Sequence, residues 1–97
     1  MNPAKVRRGA VHSLTDLPNV GPATAADLRL LGITRPADLA KADPFALYQA
    51  LCQKTATRHD PCMLDIFMSI TDFAAGGPAR PWWDYTTERK RRYGALP

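Results

Sequence analysis

The chain has 97 residues, a net charge of +4, nine prolines, six glycines and two cysteines. That length carries one modest core and not two. No apolar run approaches the ~20 residues of a membrane span, and two cysteines build no disulfide framework. Apolar positions recur at helical spacing without alternating β-branched runs, so the expected class is all-α with five to six short helices. No apolar signal region follows the opening Met-Asn-Pro-Ala-Lys-Val-Arg-Arg, so a cytoplasmic location with free thiols is expected.

Charge is uneven along the chain. Residues 1–13 carry Lys5, Arg7 and Arg8 and no acid. Residues 80–97 carry Arg80, Arg89, Lys90, Arg91 and Arg92 against Asp84 and Glu88, whereas residues 14–79 are slightly acidic. Basic ends either keep a small protein soluble or favour polyanions by neutralising phosphates.

In chain order, residues 1–12 read as a basic, poorly ordered arm. Ser13, with Asp16 three residues on, resembles a capping arrangement for a short helix that turns Leu14 and Leu17 inward. Pro18-Asn19 suits a type II turn, because Asn tolerates φ > 0 at its second central position. Gly21 permits close backbone approach, and Pro22 fits the first position of a helix running to about Leu31, with Gly32 just past its end. Thr34 is the expected cap of a third short helix through Leu39. Asp43-Pro44 and Asp60-Pro61 are strong helix starts, for helices to about Gln53 and about Ala75. The latter is apolar around nearly its whole circumference, with Asp65, Ser69 and Asp72 as one polar strip, and reads as the buried central helix. Gly76-Gly77-Pro78 stops it. Trp82, Trp83 and Tyr85 then crowd together, and Thr86–Tyr93 reads as a short basic helix or a frayed tail.

Leu17-Pro18-Asn19-Val20-Gly21, followed by Ala25, Leu28 and Gly32-Ile33, resembles the helix-hairpin-helix superfamily. With His59-Asp60-Pro61-Cys62 and Pro81-Trp82-Trp83-Asp84-Tyr85-Thr86, the chain from about Leu14 to Arg91 resembles a small bacterial "pathogenicity locus" family. Some members of that family are labelled mitomycin-resistance proteins. The hairpin half is also similar to the C-terminal domain of bacterial competence regulators. The resemblance implies a helix-hairpin-helix (SAM-like) bundle over residues 13–79, with residues 80–97 packing on it.

It also implies a phosphate seat. A helix N-terminus offers unpaired N–H donors and a positive dipole end. The corresponding residues are Asn19, Val20, Gly21, Ala23 and Thr24, with Arg89, Lys90, Arg91 and Arg92 as counter-charge. Pro22 contributes no N–H, and the nearest base along the chain is Arg29. The same turn equally serves only to set the packing angle of two helices. The expected function is non-enzymatic contact with DNA backbone without sequence specificity. The alternative is a protein-interaction adaptor using the hairpin or Trp82-Trp83.

Other chemistry is thinner. Cys52, Cys62, His12 and His59 match no zinc spacing, so neither metal nor cofactor is expected. Cys62 sits at a helix start, where the dipole lowers a thiol pKa and opens thiol chemistry; a packed small residue is the simpler reading. Trp82, Trp83 and Tyr85 fit a clasp over an open core edge better than a base-stacking platform. No nucleophile–base pair or P-loop is present, so catalysis is not expected.

Overall fold

Two Asp-Pro pairs start the longest helices of the chain, whose computed structural model describes residues 3–94. The carboxylate of Asp43 accepts from Phe45 N at 3.2 Å to open α2 (Pro44–Thr55), and that of Asp60 accepts from Cys62 N at 2.9 Å to open α3 (Pro61–Ala74). Each Asp satisfies one of the orphan amides of a first turn, and each Pro has none to satisfy. The remaining helices are α1 (Pro22–Leu30) and α4 (Thr86–Tyr93); the described residues form helices and turns and no strand. The protein is all-α. No helix among the described residues is long and apolar enough to cross a membrane.

Positive φ falls where helices end. Gly32 (φ 85°) follows α1, and Ile33 N reaches back to Leu28 O at 2.9 Å. Ala56 (φ 51°) closes α2, which runs two residues beyond the expected Gln53, and Gly76 (φ 109°) follows α3. Asn19 has φ 67° with Val20 N turned towards Leu17 O, as the Pro18-Asn19 turn requires.

The segments expected as short helices at Ser13–Leu17 and Thr34–Leu39 are single 3₁₀ turns, Leu14–Asp16 and Pro36–Leu39. The reason is local. The Asp16 carboxylate takes the amides of His12 and Ser13 at 3.0 and 2.9 Å, so the first turn is tied from outside and Pro18 soon ends it. The second turn is capped the same way and not by Thr34. The Asp38 carboxylate takes the amides of Thr34 and Arg35, both at 3.1 Å, and Arg35 is the cap position.

These two turns share one hydrogen-bond pattern, set twenty-two residues apart, although only the first has a positive φ, at Asn19. Leu17 and Leu39 follow the two aspartates, and both are fully buried. Val20 N→Leu17 O is matched by Ala42 N→Leu39 O, and Ala25 N→Gly21 O by Leu47 N→Asp43 O. Asp16-Leu17-Pro18-Asn19-Val20-Gly21-Pro22 therefore superposes in role on Asp38-Leu39-Ala40-Lys41-Ala42-Asp43-Pro44. The duplication is degenerate in sequence and regular in hydrogen bonding.

Both units pack their leucines towards α3, which buries Leu64, Phe67 and Ile70 completely. The polar strip of α3 is a seam. Asp65 accepts from Thr86 Oγ1 at 2.7 Å and from Arg89 Nε at 2.8 Å, and Asp72 accepts from Tyr85 OH at 2.7 Å. Ser69 accepts from Asn19 Nδ2 at 3.0 Å. Thus the C-terminal segment and the first turn are both fastened to the one polar face of an otherwise apolar helix. At the far end of α3, Arg8 places its guanidinium 4.0 Å from the Phe73 ring centroid and donates to the carbonyls of Phe73 and Gly77. A cation here also meets the negative end of the helix dipole.

Candidate nucleic-acid interface

The turn at Asn19–Gly21 is held from behind and open in front. Behind it, the Asn19 carboxamide is committed: Nδ2 donates to Ser69 Oγ and to Arg80 O at 2.8 Å, and Oδ1 accepts from Trp82 N at 3.1 Å. The Asn19 side chain is therefore a strut between the turn and the aromatic segment, not a free ligand group. Val20 is buried and its amide closes the turn. In front, Gly21 and Ala23 are exposed, whereas Thr24 is buried. Ala23 N and Thr24 N precede the first α-helical bond of α1, which Ala25 N makes to Gly21 O at 2.9 Å. A Cβ built on Gly21 would meet nothing within 4 Å, and its φ of −95° suits any residue. No protein atom crowds the glycine expected to admit a close neighbour.

A groove of about 280 Å³ lies beside this turn, lined by Pro3, Asn19, Val20, Gly21, Ile66, Trp82 and Trp83. It brings together four stretches that are far apart in sequence: the start of the basic N-terminal region, the turn, α3 at Ile66, and the tryptophan pair. Trp83 is 59% exposed and meets Trp82 edge-to-face, with ring centroids 5.6 Å apart and planes at 82°. Tyr85 is instead buried, and burial with the neighbouring Asp72 carboxylate pushes its phenol above the usual range.

The basic C-terminal residues divide by partner. Arg89 is 11% exposed and pairs with the completely buried Asp65, so its charge is cancelled inside the fold. Arg91 pairs with Glu88, whose carboxyl is held below the usual range by that hydrogen bond. Lys90 and Arg92 are exposed and form no ion pair within 4 Å among the described residues, although Arg92 lies near enough to Glu88 to help hold its carboxyl down. Arg92 lines a second cleft, of about 360 Å³, with Ala42, Pro44, Asp72 and Glu88. The adjoining Tyr93 stacks on Phe45 at 4.8 Å. The end of α4 thus lies at the second turn unit, and the Trp82-Trp83 segment lies at the first.

The surroundings of Cys62 oppose formation of its thiolate. The Cys62 thiol is pushed up to about 11, first by burial and then by the Asp60 carboxylate, which outweigh the helix dipole expected to lower it. His59 Nε2 is 2.8 Å from Thr55 Oγ1, whose hydroxyl lies 2.8 Å from Leu51 O, so the ring belongs to the end of α2. Among the described residues no three His, Cys, Asp or Glu side chains gather as a metal site.

The fold and this surface define a small all-helical domain built on a duplicated turn-helix unit, with an open groove at the first copy. The family model described as Pathogenicity locus (Cdd1) matches residues 7–91, and the chain belongs to that family. A mitomycin resistance protein, McrB of Streptomyces lavendulae, is 50% identical over 78 residues, which cover 80% of this chain and 74% of that protein. No solved structure matches the chain.

Proposed function

We propose that this chain is a helix-hairpin-helix module that contacts nucleic-acid backbone without reading base sequence and carries out no catalysis itself. The observation that supports this best is the setting of the first turn. Gly21 and Ala23 are exposed at the start of α1, beside a groove that Pro3 and the Trp82-Trp83 segment help to line, and a Cβ on Gly21 would meet open space. A phosphate at the start of α1 meets unpaired N–H donors and the positive end of the helix dipole. Lys5, Arg7 and Arg80 are exposed and belong to the stretches that line the groove. They supply the local charge that the turn itself lacks, and Lys90 and Arg92 add longer-range attraction.

Titration of a labelled duplex against salt tests this. The logarithm of the binding constant should fall linearly with the logarithm of salt concentration, by about 0.9 per phosphate neutralised. Replacing Lys5 and Arg80 by Ala should lessen that slope by roughly one unit per lost contact. The same exchange at Arg89 should cost folding stability, because that charge is internal. Absence of any binding to duplex or single strand at low salt would sink the proposal.

A further inference from the structure

We infer that the groove between the first turn and Trp83 takes one unpaired nucleobase, so that the module prefers nucleic acid whose bases are unstacked next to the bound backbone. The inference rests on the proposed function and adds the form of nucleic acid recognised. Two large apolar side chains are exposed among the described residues, Leu30 and Trp83, and Trp83 is the one whose ring adjoins this groove and its apolar walls. The clasp role does not account for that exposure. Tyr85 is the buried member of the aromatic segment, and Trp82 is only partly exposed. Trp83 is left with most of its surface free, including ring surface that Trp82, which meets it edge-to-face, does not cover.

Three features favour a nucleobase as the occupant. The groove, at about 280 Å³, is smaller than the ~300–1,000 Å³ of pockets for drug-sized ligands, and suits one planar ring system. Its walls are Pro3, Val20, Ile66 and the two indoles, which present flat or apolar surface to a ring. The chain segments that line it are rich in bases: Lys5 and Arg7 follow Pro3, and Arg80 precedes Trp82, against Asp84 as the acid next to Trp83 in sequence. The surface is also pre-set. Asn19 ties the turn to Arg80 O and Trp82 N, so the phosphate seat and the stacking ring are held on one strut and binding orders little.

The experiment compares one 20-mer duplex, the same duplex with a four-nucleotide gap, the gap built from abasic residues, and the single strand, each with wild type, Trp83→Phe and Trp83→Ala. Base–aromatic stacking should make gapped and single-stranded forms bind about tenfold more tightly than duplex. Binding should also quench indole fluorescence. Abasic residues in the gap, or Trp83→Ala, should bring gapped and single-stranded DNA to the affinity that the same protein shows for duplex, and Trp83→Phe should keep most of the preference. Because Trp83 is exposed, its variants should melt within a few degrees of wild type. Equal binding of duplex and gapped DNA, or a preference that survives Trp83→Ala, overturns the inference and leaves backbone binding standing. A Trp83-dependent protein partner without any base effect overturns it likewise. Failure of every nucleic acid to bind overturns both.

Discussion

Asp65 is the residue on which the C-terminal third is hung. It has no exposure, yet it carries charge, and its two oxygens are satisfied by Thr86 and Arg89. A buried pair contributes little net stability when intact, but removing one member strands the other. Asp65→Ala should therefore cost about 3–5 kcal/mol, read as a lower urea midpoint with an unchanged m-value. Asp65→Leu combined with Arg89→Leu should recover much of that loss, since neither charge then remains buried. If the double variant is as unstable as the single one, packing and not stranded charge is the cause. Asn19 is the second such residue. Asn19→Gly keeps the positive φ the turn needs and removes three hydrogen bonds, so a loss of about 1–3 kcal/mol measures the strut alone.

At the scale of elements, four aspartates act as caps, and three of them have carboxyls held below the usual 3.8 by backbone amides: Asp16, Asp38 and Asp60. A carboxyl depressed in the folded state stabilises it above the unfolded pKa and loses that contribution as pH falls through the folded value. The melting temperature should thus stay level from about pH 7 to pH 5 and fall below about pH 4. Asp38→Asn should lower the plateau slightly and make the acid limb shallower. An acid limb that begins near pH 6 would mean that these caps do not set it. These caps were legible in the sequence because capping is local: Asp43-Pro44 and Asp60-Pro61 each act within three residues. The duplication was less legible, because only Asp-Leu and a Pro five residues beyond the Leu persist, while the Asn-Val-Gly of the first turn has become Lys-Ala-Asp. A search for repeated Asp-Leu-x4-Pro would have found it. The polar strip was visible on α3, but its partners lie up to 50 residues away, beyond the reach of periodicity. The direction of the Cys62 shift was missed for the same reason. Dipole and cap are local, whereas the burial that decides the matter comes from packing.

At the scale of the molecule, the radius of gyration of 12.4 Å is that of one packed domain of this length, with no room for a separate tail. The region 80–94 completes the fold rather than decorating it. It supplies both partners of Asp65, the phenol on Asp72, and the carbonyl and amide that receive Asn19. Tyr93 adds a stacked ring on Phe45, so the segment bridges α2 and α3 as well as the first turn. A chain ending at Ala79 would leave the seam of α3 open to water and expose apolar surface on either side of it. Small domains hold about 5–15 kcal/mol in total, and losing a buried ion pair's cation together with this cover should exhaust it. Far-UV circular dichroism of residues 1–79 should then show helicity well below that of the same residues in the full chain, with no cooperative thermal transition. A sharp melt within about ten degrees of the full chain would mean that the two turn units and α3 form a domain alone. In that case residues 80–94 are an appendage free to leave the groove, and the rigid strut invoked for base stacking would have to be abandoned.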